Sequence, residues 1–158
     1  MMKKYAEYNY WANLQLTNFI LKIENEKLNT EIISSFSSIR KTVYHIWDAE
    51  VIWLERLLKS TVSAWPPSQI FDHETKIDIL LSSSKNLLEL IQDKPDSFFQ
   101  GFTTYSDSKG NSLTTLNDEI LHHVFNHSTF HRGQLVTMLR QLGYNQIPQT
   151  DFIAFVRL

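Results

Sequence analysis

Residues 115–143, TLNDEILHHVFNHSTFHRGQLVTMLRQLG, decide how the chain is read. Leu116, Ile120, Val124, Leu135, Met138, Leu139 and Leu142 recur at helical steps between about Thr115 and Leu142. Gly143 then supplies the left-handed residue that commonly closes a helix. This is expected to be the longest helix of the protein. It also gathers four of the six histidines, His122, His123, His127 and His131, into one ten-residue window. At roughly 100° per residue, His123, His127 and His131 drift only about 40° at each step and share a face, while His122 points about 100° away from His123.

Upstream of this helix, FTTY (102–105) and SLTT (112–115) flank SDSKGN, which predicts two short strands joined by a glycine-containing turn. Downstream, QIPQTDFIAFVRL offers Thr150 as N-cap of a short helix that would return Phe152, Phe155 and Val156 to the core. Three more segments carry helical periodicity. From Lys3 to Ile23 the stripe is Tyr5, Tyr8, Ala12, Leu16, Phe19 and Ile23. A second helix begins at Ser37 or Ser38, presents Ile39, Val43, Ile46, Trp47, Leu54, Leu57 and Leu58, and ends near Lys59. Trp65, Pro66 and Pro67 predict an extended linker, because proline lacks the amide hydrogen and restricts the residue before it. A third helix starting at Asp72 or Asp78 is lined by Ile77, Leu80, Leu81, Leu87, Leu88 and Ile91, and Lys94-Pro95 stops it. The fold class is therefore all-α. It is a single domain over residues 1–158, a four-helix bundle with a small β-hairpin insertion before the last long helix and a short C-terminal helix.

Composition narrows the function. At 158 residues one core suffices, so folding demands no metal or disulfide. With 15 Lys+Arg against 17 Asp+Glu and the signs interspersed, there is no electrostatic footprint for nucleic acid or an anionic membrane. No signal-like apolar stretch follows the basic start and no segment reaches membrane-spanning length, so a cytoplasmic location is expected. The absence of cysteine removes thiolate metal sites, iron–sulfur clusters and a cysteine nucleophile, and leaves His, Asp and Glu as the strong metal ligands.

Imidazoles at i and i+4 stand about 6 Å apart on a helix and can converge on one divalent ion. His127 and His131 have this spacing. The HSTFH that they bracket lacks the glutamate of HEXXH, so a zincin base is missing. His45 on the second helix is the natural third ligand, and Asp48, three residues on, could orient it or bind directly. A histidine on a core-facing stripe also fits a plain hydrogen-bonded core role. His123 is open between fourth ligand, support for the ligands and core residue. Arg132 sits about 100° from His131 and reads as structural or interfacial rather than substrate-binding. Gly133 suggests close approach by a neighbouring helix or the hairpin. Trp11, Trp47, Trp53 and Trp65 read mainly as core or interface. Asp48 and Glu50 cannot face the same way, which argues against a paired-carboxylate glycosidase. His73 falls at an expected exposed helix start, and neither a GxSxG elbow nor a glycine-rich phosphate loop occurs.

Four segments taken together, YNYWAN, TVYHIWDAEVIWLERL, HHVFNHSTFHRGQLVTMLRQLG and PQTDFIAF, resemble the DinB family of helix-bundle proteins in order and spacing over nearly the whole chain. The resemblance implies a four-helix bundle, frequent homodimers, and a divalent metal held by one histidine of the second helix and the i, i+4 pair of the last long helix. These roles fall on His45, His127 and His131. Asp48 and His123 are then possible supports behind the ligands, and no catalytic residue is assigned. Three neutral imidazoles leave coordination positions open, and zinc or nickel suits them. The implied activities are metal-dependent hydrolysis or transfer and isomerisation with a low-molecular-weight thiol, acting on a small-molecule substrate. The alternative is a metal-binding stress-response or interaction bundle without turnover.

Overall fold

The structure, a computed structural model, describes residues 1–58 and 76–158. The expected linker around Trp65–Pro67, the start at Asp72 and His73 lie outside the described residues. Four long helices dominate: α1 (Met2–Ile20), α3 (Ile39–Leu57), α4 (Ile79–Asp93) and α6 (Asn117–Gln141). One-turn helices α2 (Asn25–Leu28), α5 (Asp96–Phe99) and α7 (Phe152–Phe155), with the strands β1 (Phe102–Ser106) and β2 (Ser112–Leu116), complete the described elements. Around the bundle α1 packs on α4 and α6, and α3 packs on the same two, so α1 and α3 face each other across the diagonal.

The helix ends follow from local chemistry. Ser38 has extended backbone and its hydroxyl accepts from the Lys41 amide at 3.2 Å, capping α3 as expected. Asp118 and Glu119 in the first turn of α6 complement the helix dipole. Gly143, at φ 90°, lets the Tyr144 amide reach the Leu139 carbonyl at 3.0 Å, so the helix closes in the six-to-one pattern that a left-handed residue permits. The strands pair antiparallel from Phe102↔Leu116 to Ser106↔Ser112. Asn117, where strand passes into helix, accepts from Thr103 Oγ1 at 2.6 Å and donates to the Phe98 carbonyl at 2.8 Å, pinning the hairpin to the bundle.

Several expected boundaries move. Helix one closes at Ile20 rather than Ile23, although Ile23 still packs on the core. Thr115 and Leu116 belong to β2 because the ladder claims them before α6 begins. The third long helix starts after Asp78, whose side chain makes no capping bond. The second ends at Leu57, and Leu58, expected in the core, is 53% exposed. Asp151, not Thr150, precedes α7; Thr150 instead accepts from Tyr8 Oη at 2.8 Å through its carbonyl. Gly133 lacks the expected packed neighbour: among the described residues a Cβ there would meet nothing within 4 Å, because this face of α6 is open.

The core has two apolar halves. One contains Leu16, Ile20, Ile39, Val43, Ile46, Leu135 and Leu139; the other contains Met2, Ala6, Leu57, Leu87, Ile91, Leu121 and Phe125. Between them lies a polar layer from all four long helices. Glu50 is fully buried and accepts from Asn9 Nδ2 at 2.7 Å, Asn13 Nδ2 at 3.0 Å, Ser83 Oγ at 3.0 Å, Ser84 Oγ at 2.6 Å and Ser128 Oγ at 3.4 Å. Arg132 Nη1 donates to the Oδ1 atoms of the same two asparagines, both at 2.8 Å. Two amides therefore carry the interaction between a buried carboxylate and a buried guanidinium.

Candidate metal centre

His45 lies in the second turn of α3, while His127 and His131 lie one turn apart in the middle of α6. Packing of α3 on α6 brings the three rings together. Their centroids are 4.7 Å (His45–His127), 4.6 Å (His45–His131) and 4.4 Å (His127–His131) apart. One nitrogen from each ring belongs to a set that all lie within 4.8 Å of one another, and the Nε2 atoms of His45 and His127 are 2.9 Å apart. His131 is buried, and the other two are half-buried.

Neighbouring residues hold these rings in place. Phe36, in the segment leading into α3, stacks on His45 at 4.0 Å and meets His131 edge-on at 5.6 Å. Gln134, one turn after His131, donates through Nε2 to Ser35 Oγ at 3.0 Å, which leaves its Oε1 to accept from His131 Nδ1 at 2.7 Å. His131 is thereby the Nδ1–H tautomer with its Nε2 lone pair free, the form a ligand needs. Among the described residues His127 Nδ1 is buried without a partner.

Burial, reinforced by repulsion from His131, lowers the His45 pKa to about 4. Burial, followed by repulsion from His131, His45 and His123, lowers His127 to about 3. Burial also lowers His131, partly offset by the Gln134 bond. All three imidazoles are therefore neutral at pH 7, and neutral imidazole is the ligating form.

The other candidates stand further out. His123 is an exposed residue whose ring centroid is 5.9 Å from that of His127; it packs edge-on against Trp53 at 5.5 Å and is not part of the three-nitrogen group. Asp48 is buried on α3, and its carboxylate is likewise outside that group. His122 is on the surface, its Nδ1 3.0 Å from the Asp118 carbonyl. Arg132 belongs to the polar layer, in keeping with a structural role. Trp47 is core at 6% exposed, whereas Trp11 and Trp53 are half-buried; Trp65 lies outside the described residues. A separate cavity of about 710 Å³ runs along the side of α6 turned away from the three histidines, lined in part by Tyr5, Tyr8, Thr129, Arg132 and Asp151.

The sequence pattern of the DinB family matches residues 1–158. The chain belongs to the DinB family. Protein DinB of Bacillus subtilis is 32% identical over 157 residues, covering 94% of this chain and 90% of that protein. B. subtilis YizA is 26% identical over 150 residues, with 92% and 91% covered. Among solved structures, YfiT of B. subtilis, described as a probable metal-dependent hydrolase with an unusual four-helix bundle topology, superposes with a TM-score of 0.68 at 16% identity over 91% of this chain and 89% of its own. A DinB-like protein of B. subtilis, YjoA, superposes at 0.67 with 12% identity over 93% and 97%. These structural likenesses carry the bundle fold shared by DinB proteins.

Phe36, Gln134 and the polar layer are not among the residues that the sequence pattern singles out. Gln134 had a usable signal, since i, i+3 from His131 puts it on the same helical face. Asn9 and Asn13, also i, i+4, interrupt the apolar stripe of the first helix between Ala6 and Leu16.

Proposed function

We propose that this DinB-family chain is a divalent-metal-dependent enzyme of hydrolase or thiol-transferase type, with His45, His127 and His131 as the metal ligands. The observation that carries the reading is the convergence of three neutral imidazoles, with one nitrogen of each within 4.8 Å of the others. The donor set fits: Gln134 has already fixed the His131 tautomer, and burial keeps protons off all three rings. Zinc or nickel matches all-imidazole ligation with positions left open. When bound, such an ion supplies a water of pKa near 7 or holds a thiol as thiolate. The chain's own part is to orient the ligands through Phe36 and Gln134 and to keep bulk water from the buried side of the centre. A small molecule, with a low-molecular-weight thiol as co-substrate in the transferase case, is the proposed substrate, and a homodimer is the proposed assembly.

A second reading, a metal-binding bundle without turnover, is favoured by one observation: among the described residues the histidine group contains no carboxylate to act as base. Elemental analysis of untagged protein tests the metal claim. About one equivalent of zinc or nickel is expected in wild type and almost none in His127→Ala; no metal in either, even after reconstitution, would sink it. Screening the loaded protein with activated esters, and with thiols plus electrophiles, separates the two readings, because reproducible metal-dependent turnover rules out the inert bundle.

A further inference from the structure

Eleven residues after His45, and therefore within about 20° of the same face of α3 and about 16 Å further along its axis, stands Arg56. Its side chain leans back towards the helix N-terminus, as helical side chains do. The guanidinium lies 4.5 Å from the centroids of both the Trp53 and the Tyr105 rings, which themselves meet edge-on at 5.0 Å, so it rests in the angle that the two rings make. Trp53 in turn touches His123, whose ring neighbours His127. A continuous row of side chains thus leads from the three histidines past His123 and Trp53 to a cation. We infer that Arg56 binds a carboxylate of the substrate whose reacting end lies at the three-histidine centre. This rests on the proposed metal site and deepens it by naming an acidic substrate class.

The donors of Arg56 are underused. Its Nη2 donates to the Ser106 carbonyl at 3.0 Å, yet among the described residues Nε is buried without a partner and no carboxylate pairs with the guanidinium. Asp107 is near enough to be felt electrostatically, but its oxygens are engaged in the hairpin turn, accepting from Lys109 N at 2.8 Å and from Asn111 N and Nδ2 at 2.9 Å. Arg132 shows the contrast: a structural arginine whose Nη atoms find side-chain acceptors at 2.8 Å. A guanidinium held against two aromatic rings, with Nη1 given no acceptor among the described residues, is positioned to take up a planar two-oxygen anion. Pinning the hairpin to α3 accounts for the Ser106 bond and the Tyr105 contact, but not for a guanidinium that no carboxylate pairs with directly among the described residues.

The test uses the Co²⁺-loaded protein, whose visible spectrum reports any ligand reaching the ion. Acetohydroxamate probes the centre alone. Monohydroxamates of linear dicarboxylic acids of increasing length, each against its methyl ester, probe the distance to the cation. At the length that spans the distance from the ion to Arg56, wild type should prefer the free acid over the ester by about tenfold, in the range of one charge-assisted pair. In Arg56→Met that preference should fall to about one. In Arg56→Lys it should be intermediate and more sensitive to salt, and this variant also serves should the methionine variant not fold. Equal binding of acid and ester at every length in wild type, or a preference that survives in Arg56→Met, overturns the inference. If acetohydroxamate leaves the Co²⁺ spectrum unchanged, the metal reading itself fails and takes the assignment of Arg56 with it.

Discussion

His131 depends on a single neighbour for its tautomer, because the Gln134 carboxamide oxygen accepts its Nδ1 proton at 2.7 Å. Gln134→Leu is expected to weaken metal binding about 10- to 100-fold, the usual effect of losing such support, with little change in the folding of the metal-free protein. Chelator competition measures the first and thermal unfolding the second; unchanged affinity would reduce Gln134 to a surface contact. The half-buried His127 makes an acid-sensitivity prediction. Its folded pKa of about 3 is below the unfolded value of about 6.5, so between these limits the unfolded chain binds the extra proton, and stability falls as pH drops. In the metal-free state His127→Gln should therefore lose less stability than wild type between pH 7 and pH 5. Urea titrations at the two pH values decide it, and equal losses would contradict the depressed pKa. The pairing of His127 with His131 was legible because i, i+4 spacing is local, and so was the reach of Gln134; Phe36 was not, since it meets His45 and His131 only through the packed fold.

At the scale of elements, periodicity over four or more turns made the long helices readable, and composition could not do the same for one-turn pieces. Asn25–Leu28 and Asp96–Phe99 have four residues each, too short to express a face. Leu116 looked helical by spacing, but pairing with Phe102 claimed it for the hairpin, a contact that the local sequence does not announce. Gly133 was misread for a related reason: its cost to the helix suggested a packed neighbour, yet the space beside it is empty. Gly133→Ala should thus stabilise the protein by up to about 1 kcal/mol through helix propensity alone. Gly143→Ala is expected to do the opposite, by about 1 kcal/mol or more, because φ 90° is strained for any residue with a Cβ. Denaturant midpoints of the two variants should shift in opposite directions; a shared direction would mean that the open face of α6 is covered in solution.

At the scale of the whole molecule, the polar layer joins helices that the apolar pattern treats as independent. No sequence window contains it, since Asn9, Glu50, Ser84 and Arg132 converge from four elements. Full burial drives the Glu50 pKa up, while hydrogen bonds from Ser84, Asn9 and Ser83 and the nearby Arg132 charge pull it back. Removing the guanidinium leaves two asparagine carbonyls without their donor and a buried carboxylate without its counter-charge. Arg132→Met is accordingly expected to cost about 3–5 kcal/mol, the range for breaking one side of a buried ionic network. The pH dependence identifies the cause. A carboxyl group raised above its unfolded pKa contributes stability below that pKa and loses it as pH climbs through the folded one, and without Arg132 the folded pKa moves higher still. The deficit of Arg132→Met should therefore be larger at pH 8 than at pH 5, and Glu50→Gln on the same background should shrink that difference, since the amide cannot ionise. A deficit that stays constant across this range would show that Arg132 acts by filling space between α1 and α6, with no charge coupling to Glu50 across the bundle.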